Sequence, residues 1–152
     1  LNANSNPFPA CVAPLSVTLK DSYREIQFLT EISVFLGIHR NIDTKKEGKF
    51  MTQFDFFIVV GGLAQVVGSF NHWSLGQFTT ADNSQTHIAI GDSLGQVVVY
   101  QYWQDGSVVS TKRDCEVTLE KISGRPIGTC LIDNNVLICS SGPTLFVVNI
   151  LH

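Results

Sequence analysis

A strand–turn–strand unit at residues 87–103 constrains the fold of this chain more than any other part of its sequence. The unit reads HIAIGDSLGQVVVYQYW and predicts two short β-strands joined by a tight turn at residues 91–95. Gly, Asp and Ser favour such turns, whereas Val and Tyr suit a pleated, half-buried surface. A similar unit returns at residues 136–150, and a weaker one lies at 58–67. Repetition of one such unit predicts a repeat architecture and a surface for partners.

Polar segments divide the other predicted strands. The charged stretch at residues 41–49 predicts the tip of a hairpin that joins strands at 31–38 and 50–60. The polar stretch at residues 71–82 predicts a second surface connection. Asp105-Gly106 is a specific hairpin signal and predicts an outgoing strand after it.

The N-terminal part of the chain is harder to assign. Residues 1–14 are rich in Asn and Pro and are predicted to be irregular, with a single all-β domain over residues 15–152. Ser22 followed by Glu25 forms a capping box, which allows one short helix near residues 21–30. The alternation of apolar and polar residues just after it favours a strand. The segment at 21–30 therefore stays open between helix and strand.

Composition limits the classes of function. Apolar residues make up 44% of the chain and charged residues only 15%, which favours a folded domain over a disordered one. The net charge of −3 predicts no binding to nucleic acid. The longest apolar stretch, residues 54–70, is interrupted by Asp, Gln and Gly, so no membrane insertion is expected. The chain does not begin with Met, and we expect it to be a piece of a longer protein.

The four cysteines carry no recognisable metal or redox motif. These cysteines are Cys11, Cys115, Cys130 and Cys139. They are widely spaced, without a Cys-x-x-Cys pair, and three of the four lie in strand-like apolar sequence. Free cysteines are commonly buried as small hydrophobic residues. We therefore expect reduced thiols in an intracellular, cytoplasmic protein, although the disulfide state of each cysteine stays open.

The repeated unit resembles the blades of a known class of repeat proteins. An apolar strand, Gly91-Asp92-x-x-Gly95 and an apolar strand with Tyr together resemble WD40-like and FG-GAP-like β-propeller repeats, as in BBSome-type subunits of large eukaryotic scaffold and trafficking complexes. The resemblance covers residues 55–150. It implies an all-β fold, namely a partial or small β-propeller built from antiparallel hairpins; a β-sandwich or barrel is the alternative. The family's Trp-Asp signature is missing, because Gln104 follows Trp103.

No catalytic or metal-binding motif stands out. The chain lacks the Gly-x-Ser-x-Gly elbow of many hydrolases, and its four histidines and four cysteines do not have the spacing of a zinc site. The Asp-x-Asp-x-Asp calcium loop of metal-binding FG-GAP repeats is also absent. We predict no catalytic residues, no metal and no cofactor.

Aromatic residues are the best candidates for partner contacts, because Trp and Tyr are enriched at interface hot spots. The candidates for partner binding are Asn71, His72, Trp73, Phe78, Tyr100, Tyr102 and Trp103. Strand periodicity places Tyr100 and Tyr102 on one face and Trp103 on the other.

The resemblance implies a non-catalytic scaffold for protein–protein interaction, a propeller segment within a larger complex. Its expected partners are other protein subunits, including another chain that completes the β-sheet or propeller. The alternative is a small β-sandwich or barrel enzyme, or a carbohydrate-binding domain, with a loop site near His72 and Trp73.

Overall fold

The fold of this chain is made of β-strands. A computed structural model describes residues 16–40, 45–118 and 124–150, and within these ranges it contains twelve β-strands and no helix. The prediction of an all-β fold is therefore confirmed. The irregular segment predicted at residues 1–14 lies outside the described residues.

The first sheet is an antiparallel meander. Its strands are β1 (Tyr23–Leu29), β2 (Val34–His39), the two-residue β3 (Lys45–Lys46), β4 (Lys49–Val60) and β5 (Leu63–Ser74). β1 pairs with β2, β2 with β4 and β4 with β5, while β3 pairs with the start of β4. The predicted pairing of the strands on either side of residues 41–49 is confirmed.

A strand, and not a helix, occupies the ambiguous segment at residues 21–30. β1 lies in register with β2, with Phe28 opposite Phe35 and Leu29 opposite Val34. Leu29 is buried while Phe28 is exposed, which is the alternation of a strand. The possible short helix is therefore wrong, because pairing with β2 outweighs the local capping-box signal.

The second and third sheets are also meanders. The second contains β6 (Phe78–Asn83), β7 (His87–Asp92), β8 (Gln96–Asp105) and β9 (Val108–Thr118). The third contains β10 (Thr129–Asp133), β11 (Val136–Ser141) and β12 (Thr144–Asn149). Both predicted turns of the second sheet are present, with positive φ at Gly95 and Gly106. Among the described residues, none of the three sheets closes on itself.

Two of the sequence predictions need correction. Residues 71–82 do not form one polar connection, because β5 continues to Ser74 and β6 begins at Phe78. The weak unit at residues 58–67 also occupies a different position within its sheet from the other two units. It forms the turn between the last two strands of its sheet, whereas residues 87–103 and 136–150 contain the second and third strands of theirs. Their counterpart in the first sheet is the pair β2 and β4.

Buried side chains hold the three sheets face to face. Leu36 and Phe56 of the first sheet share a hydrophobic cluster with Val98 of the second. Val99, on the opposite face of β8, belongs to a second cluster with Leu137 of the third sheet. The second sheet is therefore covered on both faces, which explains the nearly continuous apolar sequence of its central strands.

The first strands of the three sheets lie beside one another. The Gln27 amide donates to the carbonyl oxygen of Ala81 at 2.9 Å and accepts from the amide of Asn83 at 2.8 Å, which links β1 to β6. The backbone N–H of Ile132 donates to the Asp82 carboxylate at 2.9 Å, which links β6 to β10. The three meanders are therefore aligned in the same way, because the first strand of each sheet lies next to the first strand of the following sheet.

Candidate functional site

The seven residues predicted to bind a partner do not form one surface. Three of them, His72, Tyr100 and Tyr102, are buried between the first two sheets, and Phe78 is half-buried. Trp73 and Trp103 are exposed, on strands of different sheets. The prediction that Trp103 lies opposite Tyr100 and Tyr102 is confirmed, whereas the loop position of His72 and Trp73 is wrong.

His72 is a core residue of the first sheet. It is only 3% exposed, and its Nδ1 shares a hydrogen bond of 2.8 Å with the hydroxyl of Tyr100. The pKa of His72 is lowered to about 4, mainly by burial and also by the positive charge of Arg113, while Asp92 acts in the opposite direction. At neutral pH the ring is therefore uncharged and serves to pair a buried hydroxyl.

The remaining predicted residues have separate surroundings. Asn71 is exposed on β5, where it pairs with Gln53 of β4. The Tyr102 hydroxyl donates to the carbonyl oxygen of Ser84 at 2.5 Å, and burial raises the pKa of Tyr102 to about 12.

Trp73 borders a cavity of about 190 Å³, which Arg113 and Glu116 also line. This cavity is small compared with typical ligand pockets of several hundred Å³.

Asp55 is the centre of a buried hydrogen-bond network on the first sheet. One of its oxygens accepts from the His39 ring at 2.6 Å and from the Tyr23 hydroxyl at 2.8 Å, and the other accepts from Ser69 at 2.8 Å. Burial alone raises the pKa of Asp55, but the hydrogen bonds from His39, Ser69 and Tyr23 outweigh it, so the pKa lies below its ordinary value. Asp55 is therefore a carboxylate at neutral pH.

One group of side chains has atoms close enough to share a metal ion. The ligand atoms of Asp21, His39 and Asp55 all lie within 4.8 Å of one another. Both Asp55 oxygens, however, already accept hydrogen bonds from neighbouring side chains. A metal ion would have to displace these donors, so the geometry fits a structural hydrogen-bond network better than a cation site.

Asp92 plays a similar structural role in the turn between β7 and β8. One carboxylate oxygen accepts from the backbone N–H groups of Leu94 and Gln96, at 2.8 and 3.0 Å. The other accepts from the Ser74 hydroxyl at 2.5 Å, which joins the turn to the end of β5. The Gly-Asp turn of the repeated unit is thus fixed both locally and against the preceding sheet.

Three described cysteines are free thiols. Cys115 is half-buried, while Cys130 and Cys139 lie opposite each other on β10 and β11 and are buried against the second sheet. Burial raises the pKa of Cys130 to about 12 and that of Cys139 to about 11. These two thiols are therefore packing residues of low nucleophilicity. Cys11 lies outside the described residues.

One face of the third sheet exposes several large apolar side chains. Leu131, Ile138 and Val147 form a cross-strand row on this face, next to Val136 and Leu145. Leu131, Leu145 and Val147 are 50%, 65% and 67% exposed. We call these five residues the outer face. Exposed apolar surface of this kind marks interaction sites in soluble proteins.

A shallow cavity makes part of the outer face concave. It has a volume of about 440 Å³ and is lined mainly by apolar side chains, including Leu131, Val136 and Ile138. Sequence reasoning missed this surface. The sequence did contain a signal for it, because apolar residues occur on both faces of β11 and β12. This pattern is typical of sheets that are covered on both faces.

Comparison with known proteins adds no family to this geometry. A scan against models of known protein families gave no match, and a search of curated proteins also gave none. The described residues contain no helix with the length and apolar character needed to cross a bilayer.

Proposed function

We propose that the three sheets are consecutive blades of a WD40-like or FG-GAP-like β-propeller, and that the chain is a non-catalytic scaffold for protein–protein interaction. Three features support this proposal. Each sheet is a meander of consecutive strands, each packs face to face on the next, and their first strands lie side by side. Successive blades of a propeller have this arrangement.

The observation that carries the proposal is the difference between equivalent faces of the second and third sheets. On the second sheet, Val97 and Val99 are buried by the third sheet. On the third sheet, the corresponding outward side chains are equally apolar, but Leu145 and Val147 are mostly exposed. We propose that the apolar face of a further antiparallel sheet, from another protein subunit or chain segment, covers the outer face.

A location in the cytoplasm belongs to the same proposal. It is supported by the free, buried thiols of Cys130 and Cys139, because reduced cysteines are usual in intracellular proteins. The net charge of −3 gives the scaffold no general attraction to nucleic acid.

Size-exclusion chromatography with light scattering tests the outer face directly. An isolated chain that exposes this face should self-associate as its concentration rises, because a second copy can cover the apolar residues. Leu145→Lys and Val147→Lys should each shift the chain to a monomer. Val108→Lys is the matched control, because Val108 is also an exposed valine in a strand but lies on the second sheet.

Two outcomes of this self-association experiment would contradict the proposal. At a concentration where the unchanged chain is monomeric, all three variants should keep its thermal midpoint, since each replaced side chain is exposed. A chain that is monomeric at every concentration would show that the outer face needs no cover. Equal loss of association in the Val108→Lys control would place the contact elsewhere. Either result would overturn the proposed role of the outer face.

A further inference from the structure

Two arginines line one concavity between the first and second sheets. The concavity has a volume of about 340 Å³, and among the described residues it is lined by Arg24, Arg40, Gln77 and Phe78. Arg24 lies near the start of β1 and Arg40 directly follows β2. Phe78 is the first residue of β6, and Gln77 directly precedes it. We call this concavity the arginine pocket.

Arg24, Phe78 and the backbone of Gln77 are held in place within the arginine pocket by contacts of the folded chain. The guanidinium carbon of Arg24 lies 4.7 Å from the centre of the Phe78 ring, a cation–π contact. Phe54 contacts the same ring edge-on from the core, at 6.2 Å between ring centres. The backbone of Gln77 is tied to Ser93 by two hydrogen bonds, of 2.8 and 2.9 Å. The Arg24 guanidinium is therefore oriented before a ligand binds, which reduces the side-chain entropy lost on binding.

Neither arginine has a carboxylate partner in the described part of the chain. The salt bridges there are His39–Asp55, His87–Asp114 and Arg113–Glu116. A guanidinium stacked on a ring still presents N–H donors in its own plane, and these donors match the two oxygens of a carboxylate. Two such cations in one concavity, with the Gln77 amide beside them, make a site suited to an acidic group.

We propose that the arginine pocket binds carboxylate side chains of an acidic segment in a partner protein. The inference rests on the proposed role in protein interaction for the nature of its ligand. A nucleic acid fits less well, because its binding requires an extended basic track, and this chain has a net charge of −3. The pocket, with a volume of about 340 Å³, has room for one or two acidic side chains.

Fluorescence anisotropy with a labelled hexaglutamate peptide tests this proposal on the full chain. The peptide should bind the unchanged chain, and Arg24→Gln and Arg40→Gln should each weaken binding roughly tenfold, as expected for the loss of a charge-assisted hydrogen bond. Arg125→Gln is the matched control: it removes the same charge from an exposed position outside the pocket. This control should change the affinity less than about twofold, because exposed distant charges are screened.

Three results would overturn the proposal. They are no binding of hexaglutamate, an equal loss of affinity in Arg125→Gln, and tighter arginine-dependent binding of a single-stranded oligonucleotide. Leu145→Lys separates this test from the test of the outer face. It should leave peptide affinity unchanged, so a failure of peptide binding and a failure of self-association are read independently.

Discussion

His72 and Tyr100 share a hydrogen bond across two sheets, with 2.8 Å between the Nδ1 of His72 and the phenolic oxygen of Tyr100. The two residues are 28 positions apart and lie on β5 and β8. Their rings meet nearly edge-to-face, with centres 5.6 Å apart. A polar pair buried in this way satisfies groups that would otherwise destabilise the interface between the sheets.

The buried ring of His72 should make the stability of the fold depend on pH. Its pKa is about 4 in the folded chain, against an ordinary 6.5 when unfolded. As pH falls from 6.5 towards 4, the unfolded chain takes up a proton that the folded chain does not, so the free energy of unfolding falls. The full loss is on the order of 3 kcal/mol, and it is absent above pH 7.

Urea unfolding between pH 7 and pH 4.5 measures this dependence. In His72→Gln, the free energy of unfolding should fall less between pH 7 and pH 4.5 than in the unchanged chain. In His87→Gln, which changes a histidine outside this pair, the decrease that His72 causes should remain. Ring proton shifts in NMR give a direct check. A His72 ring that titrates near pH 6.5 in the folded chain would contradict the prediction.

Asp55 should contribute to stability in a more acidic range. Its pKa is lowered in the folded chain, so its stabilising effect is complete above its ordinary value of 3.8 and is lost as pH falls further. At neutral pH, Asp55→Asn places an amide N–H₂ among donors that need an acceptor. We expect a loss of about 3 kcal/mol in the free energy of unfolding.

The control for this substitution is Asp133→Asn, since Asp133 is an exposed residue at the end of β10. Its effect on the free energy of unfolding should stay within about 0.5 kcal/mol. Similar losses in the two variants would mean that the network around Asp55 contributes no more than a surface charge.

Much of the fold follows from local sequence, and the exceptions have physical causes. The turns at residues 91–95 and at Asp105-Gly106 were predictable because their backbone angles require particular residue types. The continuation of β5 through His72 was not, because its polar residues indicated a loop. A buried histidine is tolerated there only because Tyr100 supplies a hydrogen-bond partner. That partner comes from another sheet, which no local pattern reveals.

The candidate sites were less predictable than the fold. The outer face had a local signal in the apolar residues on both sides of β11 and β12, but the exposure of Leu145 and Val147 depends on which sheet follows. The arginine pocket had no local signal at all. Arg24, Arg40 and Phe78 come from three separate strands or strand ends, and only the packing of two sheets brings them together.

Close approach of the first two sheets should make Gly68 sensitive to substitution. A Cβ atom at Gly68 would overlap the backbone carbonyl oxygen of Val109 on β9, which cannot move as a side chain can. Gly68→Ala should therefore destabilise the chain by about 2 kcal/mol, as overpacking does. Gly128→Ala is the control, because the nearest atom to its Cβ is 3.7 Å away. Thermal unfolding should show this control unchanged or slightly more stable.

Thiol labelling should report whether the third sheet stays packed on the second. Cys130 and Cys139 are buried in that interface, with pKa values of about 12 and 11, so iodoacetamide should reach them at pH 8 only when the sheets separate. Half-buried Cys115, on the second sheet, should be labelled sooner, and peptide mass mapping distinguishes the three sites. Urea should make all three react. If Cys139 reacted in the folded chain as fast as in urea, the third sheet would be opening freely, and its outer face would then lack the rigid support that the proposed docking of a further sheet requires.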